Sequence, residues 1–567
     1  MVDNSYKDNV KRRGIFFTSS NENSFGISLY FKLLFLISAL SMTALFSTIW
    51  SWKYAAIGVL CSSIILWWLI FRADILDKIL LHNMNKPQML ISVALTFVSM
   101  QQFIKALYDS KKITDVFLFR QVPLEYHQMI NKGTAIAIGC AAIPAIIVLM
   151  YCLVQRVYII LADFITTMDR VEKYYLVIAG ALMAVAVFII FGLTNVFYVP
   201  FNGREIAPYD VIYTTDSTPI VMTNSYINIG SINNDSKQPL FGIFALPFGA
   251  AAMLVSKITF FIPNAYTLII NIMQVIILFS INIMVARMLQ AKSSTKAILL
   301  AAATALYPTL IFSLAMEQYI FSTFWLVLML YSYLSHKEDL EFYYVAAAGS
   351  LVTSYAAIPV LYQKKPWKEW FRDNLRVGAP LLAGIIIAGR MPLYYDLVTE
   401  FRVYMQFAGG KLLFKDRLLQ FINFIATCFV RPEGGIDTKN FAAISYQMDT
   451  VTKLNYLGVV MLGLVVLGFA LNYKNRFARI CFYWIIFSFI ILCLVGWGTA
   501  ENGLILYSLY FYWAFYALVF LFFEKLLSKY FVLKHVVYAA LIILLLAVNL
   551  KEIYGIIGFG IEYYPAG

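Results

Sequence analysis

Residues 200–240 read PFNGREIAPYDVIYTTDSTPIVMTNSYINIGSINNDSKQPL, a polar stretch between two long apolar runs. It contains Tyr213-Thr-Thr-Asp216 and, 22 positions after this aspartate, Gln238-Pro-Leu-Phe241. The apolar run that follows is interrupted by Pro247 and Gly249. Because proline removes a backbone donor and breaks a helix, we expect this run to dip into a membrane surface rather than cross the membrane. The stretch therefore predicts a carboxylate just outside a membrane, beside a broken, half-inserted helix.

The composition of the whole chain explains why a membrane is expected. Of 567 residues, 61% are hydrophobic and 13% are charged, and the mean hydropathy is +0.75. Most of this chain would find no place on the surface of a soluble fold. A membrane β-barrel shows alternating polarity over segments of roughly ten residues, whereas the apolar runs here approach or exceed the roughly 20 residues that span a bilayer as a helix. The sequence predicts an all-α polytopic membrane protein.

Hydropathy predicts about 13 transmembrane helices. They lie near residues 30–50, 54–71, 88–107, 133–155, 174–199, 265–287, 297–315, 318–335, 377–391, 456–472, 479–497, 504–523 and 534–550. The first span is too long for a signal-peptide core and is expected to stay in the mature protein. When the basic N-terminus is assigned to the cytoplasm, every short loop that falls inside contains Lys or Arg, as the positive-inside rule expects. The predicted location is the plasma (cell inner) membrane, crossed many times.

The same topology places two long polar segments outside, residues 200–264 and 392–455. The turn at Glu317 and the loop from Gly496 to Asn502 fall on the same outer face. Residues 341–362 are apolar but broken by glycine, hydroxyl residues and proline, and a basic segment follows them. A re-entrant hairpin on the inner side fits both properties.

The pattern of loops changes near residues 165–172. Four spans with few acidic residues in their connections precede this point, and a long outer loop follows a single span after it. We expect residues 1–168 to form an N-terminal module of accessory transmembrane helices. Residues 169–567 would then form the transmembrane catalytic module, with the two long outer loops.

Several partner and cofactor classes are excluded by residue usage. The net charge of +13 does not indicate nucleic-acid binding, because the Lys and Arg residues are dispersed among short loops between apolar runs. The six cysteines lie mostly inside apolar runs without CxxC spacing, and the four histidines form no HExxH motif. No nucleic-acid partner, disulfide or metal site is predicted.

The order of elements around residues 200–240 is similar to that of a known superfamily. A span, an outer loop with an acidic residue, and then a Lys/His-x-Pro-Leu element leading into an interfacial helix resemble the first extracytoplasmic loop of GT-C glycosyltransferases. That superfamily includes protein O-mannosyltransferases and lipid A aminoarabinose transferases, which use polyprenyl-phosphate-linked sugars. The resemblance implies a GT-C-like fold with interfacial helices in the first long outer loop, and a catalytic acid at Asp216. It also puts Lys237-Gln238-Pro239-Leu240 in the place of the Pro-Leu element, next to the substrate.

The chain departs from the common pattern of this superfamily in its acids. It has Asp216-Ser217 instead of an acidic pair, and it lacks a DxD motif. We therefore predict no cofactor, although a divalent metal would be compatible with the chemistry. A polyprenyl phosphate leaves without protonation, so one carboxylate that deprotonates the acceptor hydroxyl suffices for an inverting displacement. Asp216 is the predicted base and Asp210 its rival; the structural alternative for Asp216 is a turn or cap residue.

Two acidic positions on the outer face are candidate substrate contacts. Glu317-Gln318 interrupts nearly forty otherwise apolar residues, and a carboxylate in such a place is costly unless it serves a site or has a partner. Glu501, in the loop after the eleventh span, occupies the same predicted layer. Recognition of the sugar or acceptor is one interpretation of both positions, and a solvated turn is the other.

Basic residues of the outer face are candidate phosphate ligands. A lipid phosphate has to be held at the membrane surface, where Arg offers bidentate contacts. Arg390 and Arg431 are selected because each adjoins apolar sequence. The alternative for any one of these residues is a solvated amphipathic helix near lipid headgroups.

These observations predict a membrane glycosyltransferase. It would move a sugar from a polyprenyl-phosphate donor to a cell-surface glycan or lipid-linked acceptor on the extracytoplasmic face. The alternative is a transporter or flippase for lipid-linked saccharides, which should have ionisable residues and broken helices in the middle of its spans. The predicted acids lie in outer loops instead, and this favours an enzyme.

Overall fold

The computed structural model describes most of the chain. The described residues are 29–46, 52–76, 85–109, 131–197, 211–213, 226–227, 236–262, 264–335, 340–357, 366–391, 394, 398, 401–405, 408, 412–432, 434–438, 442–446, 453–498 and 504–566. Helices dominate this part of the chain, and one small antiparallel sheet accompanies them.

The helices and strands are numbered here in chain order. They are α1 Leu29–Phe46, α2 Trp52–Phe71, α3 Lys86–Asp109, α4 Lys132–Thr166, α5 Arg170–Leu193, α6 Phe241–Ile258, α7 Ala265–Met288, α8 Ser293–Ala305, α9 Tyr307–Leu314, α10 Tyr319–Leu334, α11 Leu340–Ser350, α12 Trp367–Ile387, α13 Phe401–Met405, α14 Phe414–Thr427, β1 Gly434–Asp437, β2 Ala443–Tyr446, α15 Tyr456–Asn472, α16 Arg476–Val495, α17 Leu504–Leu526 and α18 Phe531–Tyr563. Single π-helical turns lie within α5 and α16, and a 3-10 turn, Val352–Ala356, follows α11.

Eight of these helices are long and apolar enough to cross a membrane, and the number rises to ten if two bent pairs each count as one span. One bent pair is α8 and α9, which meet at 59°. Three further predicted spans coincide with shorter apolar helices, and the ninth coincides with α12. The chain is therefore a predominantly helical, multi-pass membrane protein, as its composition predicts.

The connections between helices gather at two ends of the bundle. At one end, called here the turn end, Arg287 donates to Tyr331 and Lys296 donates to Asp169, while Lys534 reaches Thr295. The opposite end, called the loop end, contains the long segments that were predicted to share one face. There Tyr394 donates to the carbonyl of Ser236, Tyr564 donates to that of Ala442, and Trp497 forms a bridge with Ala408.

A buried ion network closes the turn end. The Glu172 carboxylate, 1% exposed as a residue, accepts from Arg287 at 2.6 Å and from Lys296 at 2.8 Å. Asp169 caps the first turn of α5 and also binds Lys296, at 2.5 Å. These four residues tie α5, α7 and α8 together. Because removing one member of a buried pair leaves an uncompensated charge, the network fixes how these helices meet.

The first four helices pack on one another. The Ser38 hydroxyl of α1 accepts from the backbone N–H of Ala145 in α4, and Phe103 of α3 lies against Gly139 of α4. Their described links to later helices include a hydrogen bond from Ser62 to the carbonyl of Ile386. The core of the remaining bundle is α17, which is almost wholly buried, whereas α18 lies on the outside and is mostly exposed.

The last turns of helices α11 and α12 meet at one residue, Leu240. Gly349, at the end of α11, and Gly384, at the end of α12, both lie against the side chain of Leu240. Tyr355, in the turn after α11, reaches the carbonyl of Asn374 in the first half of α12. The predicted re-entrant hairpin covers residues 341–362, and because 358–362 lie outside the described residues it stays a prediction.

The prediction that Pro247 breaks the helix after Leu240 is wrong. Phe241–Ile258 is one continuous helix with Pro247 inside it. Proline costs the helix a hydrogen bond, and packing offsets that loss: a Cβ on Gly249 would lie 2.7 Å from the carbonyl oxygen of Tyr226, so helix and loop are in close contact.

Helix α6 connects the segment that ends at Leu240 with the beginning of α7. Leu240, just before it, lies beside the end of α12, and a short turn after it leads to Ala265, where α7 begins. Since α7 ends beside Arg287 at the turn end, its beginning lies at the loop end. The length and composition of α6 would allow it to cross a membrane, so its predicted place at the membrane surface stays a prediction.

Candidate functional site

Two amide side chains of α7 donate hydrogen bonds to the backbone carbonyls at the break between α9 and α10. Asn271 donates to the carbonyl of Leu314, and Gln274 donates to that of Ala315 at 3.2 Å. Carbonyls at a helix end have no partner within the helix, and leaving them unsatisfied in a membrane costs several kcal/mol. The two amides replace the missing partners, so the break is a stable part of the fold.

Glu317 lies in this break and is buried, with 1% of its surface exposed. Its backbone N–H donates to Oε1 of Gln274 at 3.1 Å, and its own Oε1 accepts from the N–H of Tyr319 at 3.4 Å. The Tyr226 hydroxyl donates to the same Gln274 oxygen at 3.4 Å. Burial and the charge of Glu317 raise the pKa of Tyr226 well above its usual value, so this hydroxyl remains a donor. The solvated-turn interpretation of Glu317 is therefore wrong.

The two predicted contact elements meet through Ser322. Gln238 donates from Nε2 to Oγ of Ser322 at 3.4 Å, and this hydroxyl donates to the carbonyl of Ser350 at 3.0 Å. Ser322 also lies 3.5 Å from the carbonyl oxygen of Gln318. Backbone hydrogen bonds from Val352 to Lys237 and from Leu240 to Gly349 fasten the loop to the turn after α11. Residues 237–238 and 317–318, about 80 positions apart, thus belong to one buried polar cluster.

Two polar atoms of this cluster have no hydrogen-bond partner among the described residues. They are Nε2 of Gln318 and Oγ of Ser350, and both residues are more than nine-tenths buried. Buried polar groups are normally hydrogen-bonded. These two atoms remain available to accept or donate a hydrogen bond.

Lys237 points in another direction. Its Nζ lies 5.3 Å from the centre of the Trp497 ring, a cation–π distance. Trp497 begins the loop that contains the predicted contact Glu501, which lies outside the described residues. The Tyr319 and Tyr507 rings pack edge to face beside this loop, with centroids 6.0 Å apart. Aromatic side chains thus lie next to Lys237 in space and next to Gln318 in the chain.

Arg390 is completely buried, with 0% exposure, which agrees with its selection as a residue that is not plain surface. It follows α12, between Gly384, which lies against Leu240, and Tyr394, which donates to Ser236. Its chain neighbours on both sides therefore contact the segment that carries Lys237 and Gln238.

Arg431 has a specific protein partner. Its Nη1 lies 2.7 Å from Oε2 of Glu552, and its backbone N–H donates to Asn549 at 2.9 Å. Both partners belong to α18. The arginine side chain remains 36% exposed. One side of its guanidinium is thus ion-paired while the side chain stays partly exposed, and the predicted phosphate contact stays a prediction.

The predicted catalytic acids Asp210 and Asp216 lie outside the described residues. Tyr213, between them, is described and buried, and its hydroxyl donates to Oε1 of Glu552 at 2.8 Å. Among the described parts of the chain, no three His, Cys, Asp or Glu side chains group closely enough to hold a metal ion.

Sequence reasoning missed Gln274, Ser322, Ser350 and Glu552. Asn271 and Gln274, three positions apart in a strongly apolar span, were a usable signal, since polar residues at this spacing share one face of a helix. Glu552 was overlooked because the last span was predicted to end at residue 550, whereas α18 continues to Tyr563.

Comparison of this chain with protein-family models, with curated proteins and with solved structures finds no match. The interpretation of the site therefore depends on its own geometry and chemistry.

Proposed function

We propose that this protein is a membrane glycosyltransferase of the GT-C type that uses a polyprenyl-phosphate-linked sugar. The observation that supports this most is the meeting of Gln238 with the buried Glu317-Gln318 break, through Ser322. Gln238 belongs to the same long polar segment as Tyr213 and the proposed base Asp216. An amide- and hydroxyl-rich cluster beside aromatic rings is a suitable environment for a sugar.

The proposed reaction is a single inverting displacement. The acceptor hydroxyl oxygen attacks the anomeric carbon, the bond from this carbon to the phosphate oxygen breaks, and the electron pair leaves with the polyprenyl phosphate. The proton of the acceptor passes to the carboxylate of Asp216, with Asp210 as the rival base. Lys237, Gln238, Glu317, Gln318 and Glu501 would contact sugar or acceptor. Arg390 would hold the phosphate, together with the exposed side of Arg431.

The proposed orientation puts the loop end on the extracytoplasmic face of the plasma membrane and the N-terminus in the cytoplasm. The support is the distribution of charge, because Arg287, Lys296, Arg476 and Lys534 all lie at the turn end, the side that the positive-inside rule assigns to the cytoplasm. About 13 spans follow if the three shorter apolar helices and α12 cross the membrane and α6 does not.

A transporter or flippase for lipid-linked saccharides is the second candidate. Two observations favour it: the 59° bend between α8 and α9, and the burial of Glu317 inside the bundle. Broken helices beside an ionisable residue are typical of transport sites. The burial of Glu317 weakens the argument that the acids of this chain are confined to outer loops.

Transfer by purified protein in nanodiscs separates the two candidates. Polyprenyl-phosphate glucose, mannose and galactose serve as probes, and release of free polyprenyl phosphate is the readout. Asp216→Asn keeps the shape of the side chain but cannot take up the proton, so release should fall about 10²- to 10⁴-fold. Asp210→Asn is the matched control and should cost much less.

The outcomes discriminate clearly. Near-normal release by the Asp216 variant removes this residue as base, and a collapse only at Asp210 transfers the role there. Loss of both folding and release at Asp216 would favour its interpretation as a turn or cap residue. Movement of labelled probe across a liposome membrane without release of polyprenyl phosphate would instead identify a flippase.

A further inference from the structure

Glu552 joins both long loops of the loop end to one helix. Its Oε1 accepts a hydrogen bond from the Tyr213 hydroxyl at 2.8 Å, and its Oε2 accepts from Nη1 of Arg431 at 2.7 Å. Tyr213 belongs to the first loop and Arg431 to the second. The two donors are 339 and 121 positions away in the chain, and the carboxylate is 16% exposed. Both carboxylate oxygens are therefore engaged by loop residues in a partly dehydrated place.

Tyr213 is held in a backbone conformation that it would not choose alone. Its φ is +49°, in the left-handed region that costs an L-residue roughly 1–2 kcal/mol. Its N–H donates to the carbonyl of Ile444 at 2.9 Å, and Ile444 in turn donates to Val211 at 2.8 Å. A Cβ on Gly434 would collide with the Tyr213 hydroxyl, so β1 leaves room for this side chain. The surrounding contacts, including the bond to Glu552, compensate the strain.

The part of α18 that carries Glu552 is hydrogen-bonded to two other elements. Asn549 lies one turn before Glu552 and donates to the carbonyls of Ala305 at 2.8 Å and Phe429 at 3.0 Å. Its own Oδ1 accepts from the N–H of Arg431. Glu552 is thus presented by a helix turn that is already fixed to α8 and to the end of α14.

We propose that Glu552 is a positioning residue that fixes the segment leading to Asp216. Tyr213 stands three positions before this aspartate, which is at most about 11 Å of extended chain. Release of the tyrosine hydroxyl would free the nearest described anchor of the segment. The proposal rests on the proposed function in giving Asp216 the role of base. It also changes the role of Arg431, which completes the carboxylate site that holds Tyr213.

Three variants test this proposal in the full-length protein in nanodiscs. Tyr213→Phe removes the donor and keeps the ring, Glu552→Gln removes the charge and keeps the shape, and the third variant combines them. Glu562→Gln, an exposed carboxylate later in the same helix, is the matched control. The readouts are kcat and donor KM for release of polyprenyl phosphate, and hydrogen exchange of amides 211–217.

Each single variant should lower kcat about ten- to a hundred-fold, the effect of losing one hydrogen bond to a charged group, with little change in donor KM. The combined loss in the double variant should be smaller than the sum of the two single losses, because both substitutions act on the contact between Tyr213 and residue 552. Amide exchange of 211–217 should accelerate in all three variants and stay unchanged in Glu562→Gln. A general loss of stability would instead affect distant helices and would make the two changes additive.

The failure of this proposal differs from the failure of the proposed function. If Asp216→Asn abolishes release while Tyr213→Phe and Glu552→Gln keep normal kcat, Glu552 has no positioning role and the glycosyltransferase assignment stands. If Asp216→Asn is fully active, the assigned base is wrong. The positioning role of Glu552 is then tested only by the hydrogen exchange of amides 211–217. Unchanged exchange in both single variants would overturn the positioning role whatever the activity.

Discussion

The backbone N–H of Glu317 donates to the side chain of Gln274, and this hydrogen bond joins a helix break to the middle of a buried helix. Gln274 comes from α7 and is itself completely buried. Through this contact the fold places a carboxylate inside the bundle and supplies the partners that the broken backbone lacks. We therefore expect that removing the Gln274 amide destabilises the whole break between α9 and α10.

Gln274→Leu should destabilise the protein. The substitution leaves the N–H of Glu317 and the carbonyl of Ala315 without their partner, and each unsatisfied buried group costs about 1–3 kcal/mol. Thermal unfolding in detergent would measure this as a lower Tm. Gln101→Leu, at an exposed position of α3, is the control and should leave Tm nearly unchanged. Equal Tm values for both variants would mean that the break does not depend on α7.

Glu172→Gln should be strongly destabilising. It removes the buried carboxylate that pairs with both Arg287 and Lys296. Breaking a buried ion pair in this way typically lowers the free energy of unfolding by about 3–5 kcal/mol. Asp74→Asn is a suitable comparison, because the pair between Asp74 and Lys32 has a half-exposed aspartate and should contribute at most about 1 kcal/mol. The measurement is the Tm in thermal unfolding. Equally small decreases in Tm for both substitutions would show that the network does not hold the helices together.

Two glycines of α15 make a matched pair. A Cβ on Gly468 would collide with the carbonyl oxygen of Leu518 in α17, whereas a Cβ on Gly463 meets nothing within 4 Å. Gly468→Ala should therefore cost about 1–3 kcal/mol, and Gly463→Ala should be neutral or stabilising by about 0.4–1 kcal/mol. Unfolding temperatures that rank the two variants in the opposite order would contradict the packing of α15 on α17.

Arg390 and Arg431 should differ in kinetics. Arg390→Lys keeps the charge but loses bidentate phosphate contact, so donor KM should rise about ten-fold or more. Arg431→Ala removes the partner of Glu552, so it should mainly lower kcat, as Glu552→Gln does. Donor titrations of polyprenyl phosphate release separate these effects. An unchanged donor KM for Arg390→Lys would remove this residue from phosphate binding.

The proposed topology can be examined by labelling. In a cysteine-free background, Ile220→Cys and Trp370→Cys should react with an impermeant thiol reagent from opposite sides of the membrane. Trp370 lies in the first turn of α12, and residue 220 belongs to the loop that follows Tyr213. Labelling of both positions from the same side would remove the basis of the glycosyltransferase proposal.

The sequence by itself determined the class of the protein and the grouping of its connections. Apolar runs of helical length and short basic loops are local properties, so they can be recognised without any knowledge of packing. They predicted a polytopic helical protein whose segments 200–264 and 392–455 share one end, and the contacts of Ser236, Ala442 and Trp497 lie together as that prediction requires.

Only the tertiary structure decided which polar residues act together. Glu317 looked like a solvated turn or a site residue, and its burial against Gln274 excludes the solvated turn. Arg431 was selected because it adjoins apolar sequence, and only the fold places its partner Glu552, 121 positions later in the chain, beside it. Pro247 looked like a helix break, but packing of Gly249 on Tyr226 keeps the helix whole. In each case the partners that stabilise the residue are distant in the sequence, and a local sequence pattern does not reveal them.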